Sequence, residues 1–513
     1  MIRHRPLLCL VVFAAGPVAA QDGGAARAAA SITQADIAKR VWVIAHDSMR
    51  GRETPSPELD LTAAYIAGEF RRFGLAPGGA GGTYLQHYEI QRTRVDTAES
   101  RVDVRGGPSW RFGRDVVRAG GGYAPHGVTG DVVLLTGIGR GATATAGLDV
   151  AGKIVIAIPP TDGAGQPIRE ADRFLRTIAR ARPAAVLTVV DAPDETWAEF
   201  AREQLREGVG VPWQAGGTPS LRVRQASIAE VLGRAGVTIP EARAERGAPR
   251  VRALSGIRID VTVAALVLES QRAPNVVGVL MGADSALRDE YLVFSAHMDH
   301  VGTTARGRCR PQGADSICNG ADDDASGTVS VIELAEAFAQ MQPRPRRSMI
   351  FLTVSGEEHG LWGSDYFAGH PPVPVERIVA NLNLDMVGRN WKDTISVIGK
   401  EHSDLGTTLE RVNAAHPELG MTAVDDLWPS ENFYARSDHY NFARRGVPIL
   451  FFFNGTHADY HRPSDHADKI DAEKQARLTR LIFYLGLEIA NVTERPKWRP
   501  ASYQRIVTDA GTR

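Results

Sequence analysis

Three apolar runs between residues 290 and 385 are each short enough to be a buried strand: 291–296, 348–355 and 378–384. Each ends on chemistry. The first is followed by His297-Met298-Asp299-His300, the second by Gly356-Glu357-Glu358-His359-Gly360 and the third by Asp385. Further strands are predicted at 84–90, 275–280 and 447–453. Helical periodicity is read over 34–44, 60–73, 325–340 and 471–492, with Ile37, Val41 and Ile44, then Leu61, Ile66 and Phe70, then Val331, Leu334 and Phe338, then Leu478, Ile482 and Leu485 as apolar positions. Strand–helix alternation predicts an α/β fold: a mostly parallel, mixed sheet with helices on both faces. In such sheets the functional crevice lies at the carboxyl ends of the strands, where His297, Glu357, Glu358 and Asp385 fall.

From about 98 to 259 the texture changes. Strand-like runs at 130–135, 153–158 and 185–190 alternate with Gly/Ala-rich loops and a helix near 171–181. No group of His, Asp and Glu with ligand spacing occurs there. The stretch is read as an inserted β-rich domain, 99–261, without chemistry of its own, its second join falling between 253 and 272. It interrupts a main domain formed by 31–98 and 262–495, and 496–513 is expected to be a loose tail.

Length agrees with more than one domain, since 513 residues exceed one ordinary core. A hydrophobic fraction of 43% and a charged fraction of 23% are those of a soluble globular protein. With a formal net charge of -1, nothing favours nucleic acid or an acidic membrane surface as partner. Residues 1–20 read as a signal peptide: Arg3, His4 and Arg5, an apolar stretch, then Val18-Ala19-Ala20 before Gln21. Export to the periplasm or the medium is expected, with 21–31 as a disordered lead-in. No later run is long and apolar enough to span a bilayer. Removal of the leader takes Cys9 with it and leaves Cys309 and Cys318. In an oxidising compartment so close a pair is expected to form a disulfide; two cysteines alone do not complete a zinc site.

Imidazole and carboxylate groups gathered at one sheet edge suit a divalent transition metal. The order of motifs sharpens this. His297-x-Asp299, the Asp322-Asp323 pair before Ser326-Gly327, Glu357-Glu358, Asp385, Ser437-Asp438-His439 and Tyr460-His461-x-Pro463-x-Asp465 together resemble the M28 family of zinc peptidases. The inserted segment resembles the protease-associated (PA) domain common in that family. The resemblance implies two zinc ions: one on His297 and Asp385, the other on Glu358 and His461, with Asp323 bridging both. It implies Glu357 as the general base for the attacking water, Asp299 fixing the His297 ring, and Ser437 orienting His461. Asp322 and Asp324 have a simpler reading as helix-start charges. Arg436 and Tyr434 are candidate substrate-binding residues, Tyr434 as an oxyanion donor; both also read as ordinary loop residues. His457 is an alternative to His461.

The function implied is an exported two-zinc aminopeptidase acting on peptide substrates. The alternatives are a carboxypeptidase, dipeptidase or glutaminyl cyclase of the same fold, or a receptor-like protein without activity, against which the full set of ligands and base argues. Side-chain preference and oligomeric state are not legible in the sequence.

Overall fold

In the computed structural model, residues 17–139, 147–306 and 308–509 are described. Residues 1–16 of the expected leader therefore lie outside the described residues. The rest of the chain forms two compact units: Glu89–Arg272, and the residues on either side of it. The chain leaves the flanking unit within one long strand, Leu85–Val104, and returns to it within another, Arg250–Leu280. Both divisions, at 88/89 and 272/273, fall inside the same two strands as the expected joins at 98/99 and 261/262. A join inside a continuous strand has no Gly/Pro-rich linker to mark it.

The flanking unit holds the predicted α/β sheet. Its strand order is Thr422–Val424, Thr394–Ile398, Ile449–Phe453, Ile378–Asp385, Tyr291–His297, Ser348–Val354 and the end of Arg250–Leu280. The four strands Ile449–Phe453, Ile378–Asp385, Tyr291–His297 and Ser348–Val354 run parallel. The pairs on either side of them, with Thr394–Ile398 and with the last strand, are antiparallel. Alternate residues serve opposite faces. Phe294 and Phe351 stack at 5.5 Å and meet Phe338 of the helix Gly327–Gln340, which in turn meets Phe483 of Ala472–Asn491. Their neighbours Val293, Ile350 and Leu352 turn the other way, into a core with Phe367 and Phe442. Burial on both faces explains why these strands read as continuous apolar runs rather than alternating ones.

Helix starts follow side-chain capping. Thr33, Ser56 and Asp471 accept hydrogen bonds from Asp36, Leu59 and Lys474 main-chain N–H groups at the heads of Gln34–Ile44, Pro57–Arg72 and Ala472–Asn491. Two expectations fail. Residues 21–31 are no disordered lead-in: Pro17–Ala30 is a helix with Ala25, Ala28 and Ala29 buried, packed near Gly327–Gln340 and Ala472–Asn491. Alanine has the lowest helix cost, and its small side chain allows close packing. The tail is not loose either. Trp498 joins the core with Ile506, and Pro500–Tyr503 is a helical turn. Local polarity around two anchoring apolar residues hid their burial.

Taken by itself, Glu89–Arg272 is also a mixed sheet with helices. Arg250–Val263 runs antiparallel to Ala124–Thr136, followed by parallel Ile154–Ala157, Ala185–Val190 and Pro219–Arg224, and by antiparallel Val116–Gly121. Four α-helices, Arg169–Ile178, Asp194–Glu203, Gln225–Arg234 and Ile239–Ala244, accompany these strands among the described residues.

Candidate metal centre

Sheet register brings the site together. His297 pairs with Val354 and Ser295 with Asn383, so Asp385 stands level with His297 on the neighbouring strand. Three residues beyond Val354 the chain delivers Glu357 and Glu358. The loop 319–326 crosses the same edge and carries Asp323. His461 arrives after the strand Ile449–Phe453 with a left-handed backbone, φ 56°.

Asp323 sits at the centre. Its Oδ1 lies 3.2 Å from His297 Nε2, and its Oδ2 lies 3.2 Å from His461 Nε2. His297 Nε2 is 3.5 Å from Asp385 Oδ1, and His461 Nε2 is 3.2 Å from Glu358 Oε2. The donors divide into two groups: His297, Glu357 and Asp385, and His300, Asp323, Glu358 and His461. Among the described residues both groups belong to the flanking unit, with none in Glu89–Arg272. Glu357 thus joins the His297 group as closely as the predicted ligands do. His300, not singled out from the sequence, joins the other; its place beside Asp299 in His-x-Asp-His was the available signal.

The donor set fits a cation. Four carboxylates and three imidazoles converge, with His297, His300, Asp323 and Asp385 buried and Glu357, Glu358 and His461 half-buried. Asp323 Oδ2, Glu358 Oε1 and both ring nitrogens of His300 are buried without a hydrogen bond, which calls for an ion or water as the missing partner. Charge imbalance has a titration signature. Burial alone would push the His461 imidazole down, but Asp323 and Glu358 raise it to about 10. Burial opposes protonation of His297 as well, and Asp385 and Glu357 hold it well above its ordinary value. Burial, reinforced by Glu358, Asp438 and Asp385, pushes the Glu357 carboxyl up. A divalent ion would replace those protons as the balancing positive charge.

Several supporting residues differ from expectation. The His297 Nδ1–H faces the main-chain carbonyl of Asp299 at 3.1 Å, with the Asp299 carboxylate farther away at 3.7 Å. That carboxylate instead accepts from Thr54 Oγ1 and from the main-chain N–H of Gly356, each at 2.8 Å, so it holds the turn leading into Glu357. Ser437 does not orient His461. Its hydroxyl donates to Asp385 Oδ2 at 2.8 Å and accepts from Asn383 at 3.2 Å. Asp322 and Asp324 are more than helix-start charges. Asp324 Oδ2 accepts from His297 N and its Oδ1 from Gly327 N and Met386 N, while Asp322 Oδ1 accepts from Gly388 N. His457 contacts Asp322 at 3.2 Å and belongs to neither donor group.

A pocket opens over the His297 side, walled by Met386, Phe433, Phe451 and Phe453 with Arg436 and Tyr460 also lining it. Tyr434 does not reach it. In the turn Phe433–Ala435, Phe433 faces the pocket and Tyr434 packs against His402 and His439. The tyrosine beside the centre is Tyr460, its ring stacked 3.9 Å from that of His461. Cys309 and Cys318 are joined by a disulfide, and Arg308, next to the first, reaches His359 Nδ1 at 2.8 Å.

Residues 275–486 match peptidase family M28. A probable leucine aminopeptidase of Arthroderma otae is 26% identical over 210 residues, 39% of this chain and 55% of that protein. A probable zinc metalloprotease of Leptosphaeria maculans is 34% identical over 208 residues, 35% of this chain and 46% of that one. The chain therefore spans about half the length of these relatives. Among solved structures, an aminopeptidase from Aneurinibacillus sp. strain AM-1 is 20% identical, covering 92% of this chain and 97% of its own, with a TM-score of 0.47.

Proposed function

From residues 275–486, which belong to peptidase family M28, we propose that this protein is an exported two-zinc aminopeptidase that cleaves the first peptide bond of peptides. The observation that carries the reading is Asp323, whose two carboxylate oxygens each face a different histidine and a different donor group. His297, Asp385 and Asp323 would hold one ion; Glu358, His461 and Asp323 the other. Bound zinc supplies a Lewis acid for the scissile carbonyl and makes water a nucleophile at neutral pH.

The remaining work belongs to side chains. Glu357 takes the proton of the attacking water and returns it to the leaving amine. Asp299 fixes the turn that presents Glu357, and Ser437 fixes Asp385. The walls formed by Met386, Phe433, Phe451 and Phe453 favour an apolar first side chain, in keeping with the leucine aminopeptidase named above. Glu89–Arg272 is proposed as a PA-like insertion that takes no part in bond cleavage. Export rests on the leader-like residues 1–20 and on the disulfide.

The test uses leucine p-nitroanilide with a free and with an acetylated amine, before and after chelation, with zinc counted per chain. Hydrolysis of the free amine alone, lost on chelation and regained with zinc at two ions per chain, is expected. Equal cleavage of both substrates refutes the aminopeptidase assignment, and full activity at one ion per chain refutes the paired centre.

A further inference from the structure

His300 stands apart from the ligands assigned above, yet its surroundings are those of a ligand. The residue is fully buried, and neither ring nitrogen has a hydrogen bond among the described residues. Its Nδ1 lies 2.9 Å from Glu358 Oε1 and 3.6 Å from Asp323 Oδ2. The ring stands edge-on to that of His461 at 5.5 Å. Glu358 Oε1 and Asp323 Oδ2 are themselves buried without hydrogen bonds. The Nδ1–Glu358 approach is close but misaligned for a hydrogen bond, so the orphaned atoms converge on a shared point rather than on one another. Two donors on one zinc, each at about 2.0–2.1 Å in a tetrahedral arrangement, stand roughly 3.3 Å apart. The separations around His300 bracket that value.

Building on the two-zinc reading, we propose that His300 is a fourth protein ligand on the His461–Glu358 side of the centre. That side then has four donors: His300 Nδ1, His461 Nε2, Glu358 and Asp323 Oδ2. Four protein ligands close a zinc site, whereas three leave a position open. The His297 side keeps three, His297, Asp385 and Asp323 Oδ1, and it is the side on which the pocket opens. The two ions are therefore unequal. The His300 ion is tightly held and structural in character; the His297 ion is exchangeable and faces the substrate.

The competing role for His300 is that of a cation donating a hydrogen bond to Glu358. The two roles separate on Zn²⁺ titration of the metal-free protein in competition with a chelator, comparing wild type, His300→Ala and His300→Asn. Asparagine retains an N–H donor but is a poor zinc ligand. A ligand role predicts that both variants weaken the tighter ion by about 10-fold or more and leave the weaker one within about 3-fold. Wild-type affinity in His300→Asn overturns the proposal. A measurement on the unmutated chain stands independently of variant folding: with ¹¹³Cd²⁺ bound and histidine labelled with ¹⁵N, three imidazoles show coupling to cadmium if the proposal holds. Two coupled imidazoles overturn it while leaving the two-metal reading intact. No uptake of Zn²⁺ or Cd²⁺ by the wild type sinks both.

Discussion

Arg52 offers the sharpest test of how the centre is held. Its side chain is completely buried, yet it makes no ion pair with a carboxylate among the described residues. Nε donates to the carbonyl of Met298 at 2.8 Å, Nη1 to those of Ile44 at 2.9 Å and Asn319 at 2.6 Å, and Nη2 to that of Gly320 at 2.9 Å. Met298 lies between His297 and Asp299, and Asn319-Gly320 leads into Asp323, so one guanidinium ties together two donor-bearing segments. Burial lowers its pKa to about 10, against the pull of Asp299, Asp323, Asp324 and Asp465, and it stays charged at neutral pH. Arg52→Met removes four bonds from a charged donor, each worth roughly 1.5–3 kcal/mol net. It also removes the desolvation cost of a buried cation, several kcal/mol. The difference is a loss of about 3–5 kcal/mol. Arg52→Lys keeps the charge but has three donors and a different shape, and is expected to lose roughly half as much. Urea unfolding of metal-free protein, followed by circular dichroism, measures both. An Arg52→Met variant within about 1 kcal/mol of wild type would refute the reasoning.

Two further predictions concern the site and its support. Glu357→Gln should lower kcat by about 10²–10⁴-fold with zinc content unchanged, whereas Glu358→Gln should weaken zinc uptake; metal analysis beside steady-state kinetics decides, and loss of zinc in Glu357→Gln would make Glu357 a ligand. His439 is fully buried, stacks on Phe451 at 4.3 Å and faces the Tyr434 carbonyl at 2.8 Å, and burial lowers its pKa to about 3. Its contribution to stability is complete above the unfolded value of about 6.5 and is lost as pH falls from there toward 3. Between pH 6.5 and 5 the wild type should lose about 2 kcal/mol more than His439→Gln; parallel losses in urea melts at the two pH values would contradict this.

The strand ends were the most legible part of the sequence. A buried parallel strand must be apolar along its length, so a run that stops abruptly at His297, Glu357 or Asp385 marks both the element and the edge where it ends. Loop geometry was not legible in the same way. Nothing in Phe433-Tyr434-Ala435 says which ring a tight turn sends toward the pocket, and the hydroxyl of Ser437 had several acceptors in principle until the strand carrying Asp385 stood beside it. His300 was hidden by company, since one more histidine beside a ligand has no periodicity to distinguish it. Helix Pro17–Ala30 was misread because its apolar face consists of alanines, whose burial depends on helices contributed from far along the chain.

The register that sets Asp385 level with His297 also governs when the donor set becomes complete. A slip of one residue along either strand would turn its donor to the opposite face of the sheet. The complete donor set is drawn from segments scattered between His297 and His461, so a nascent chain still lacking His461 has no full set to offer an ion. Cation capture would thus act as a check on finished assembly, favouring the correctly paired sheet through mass action and leaving misregistered or truncated chains without that gain. By this logic the donor set stays incomplete through synthesis by topology alone, until the last strand and the loop bearing His461 are in place.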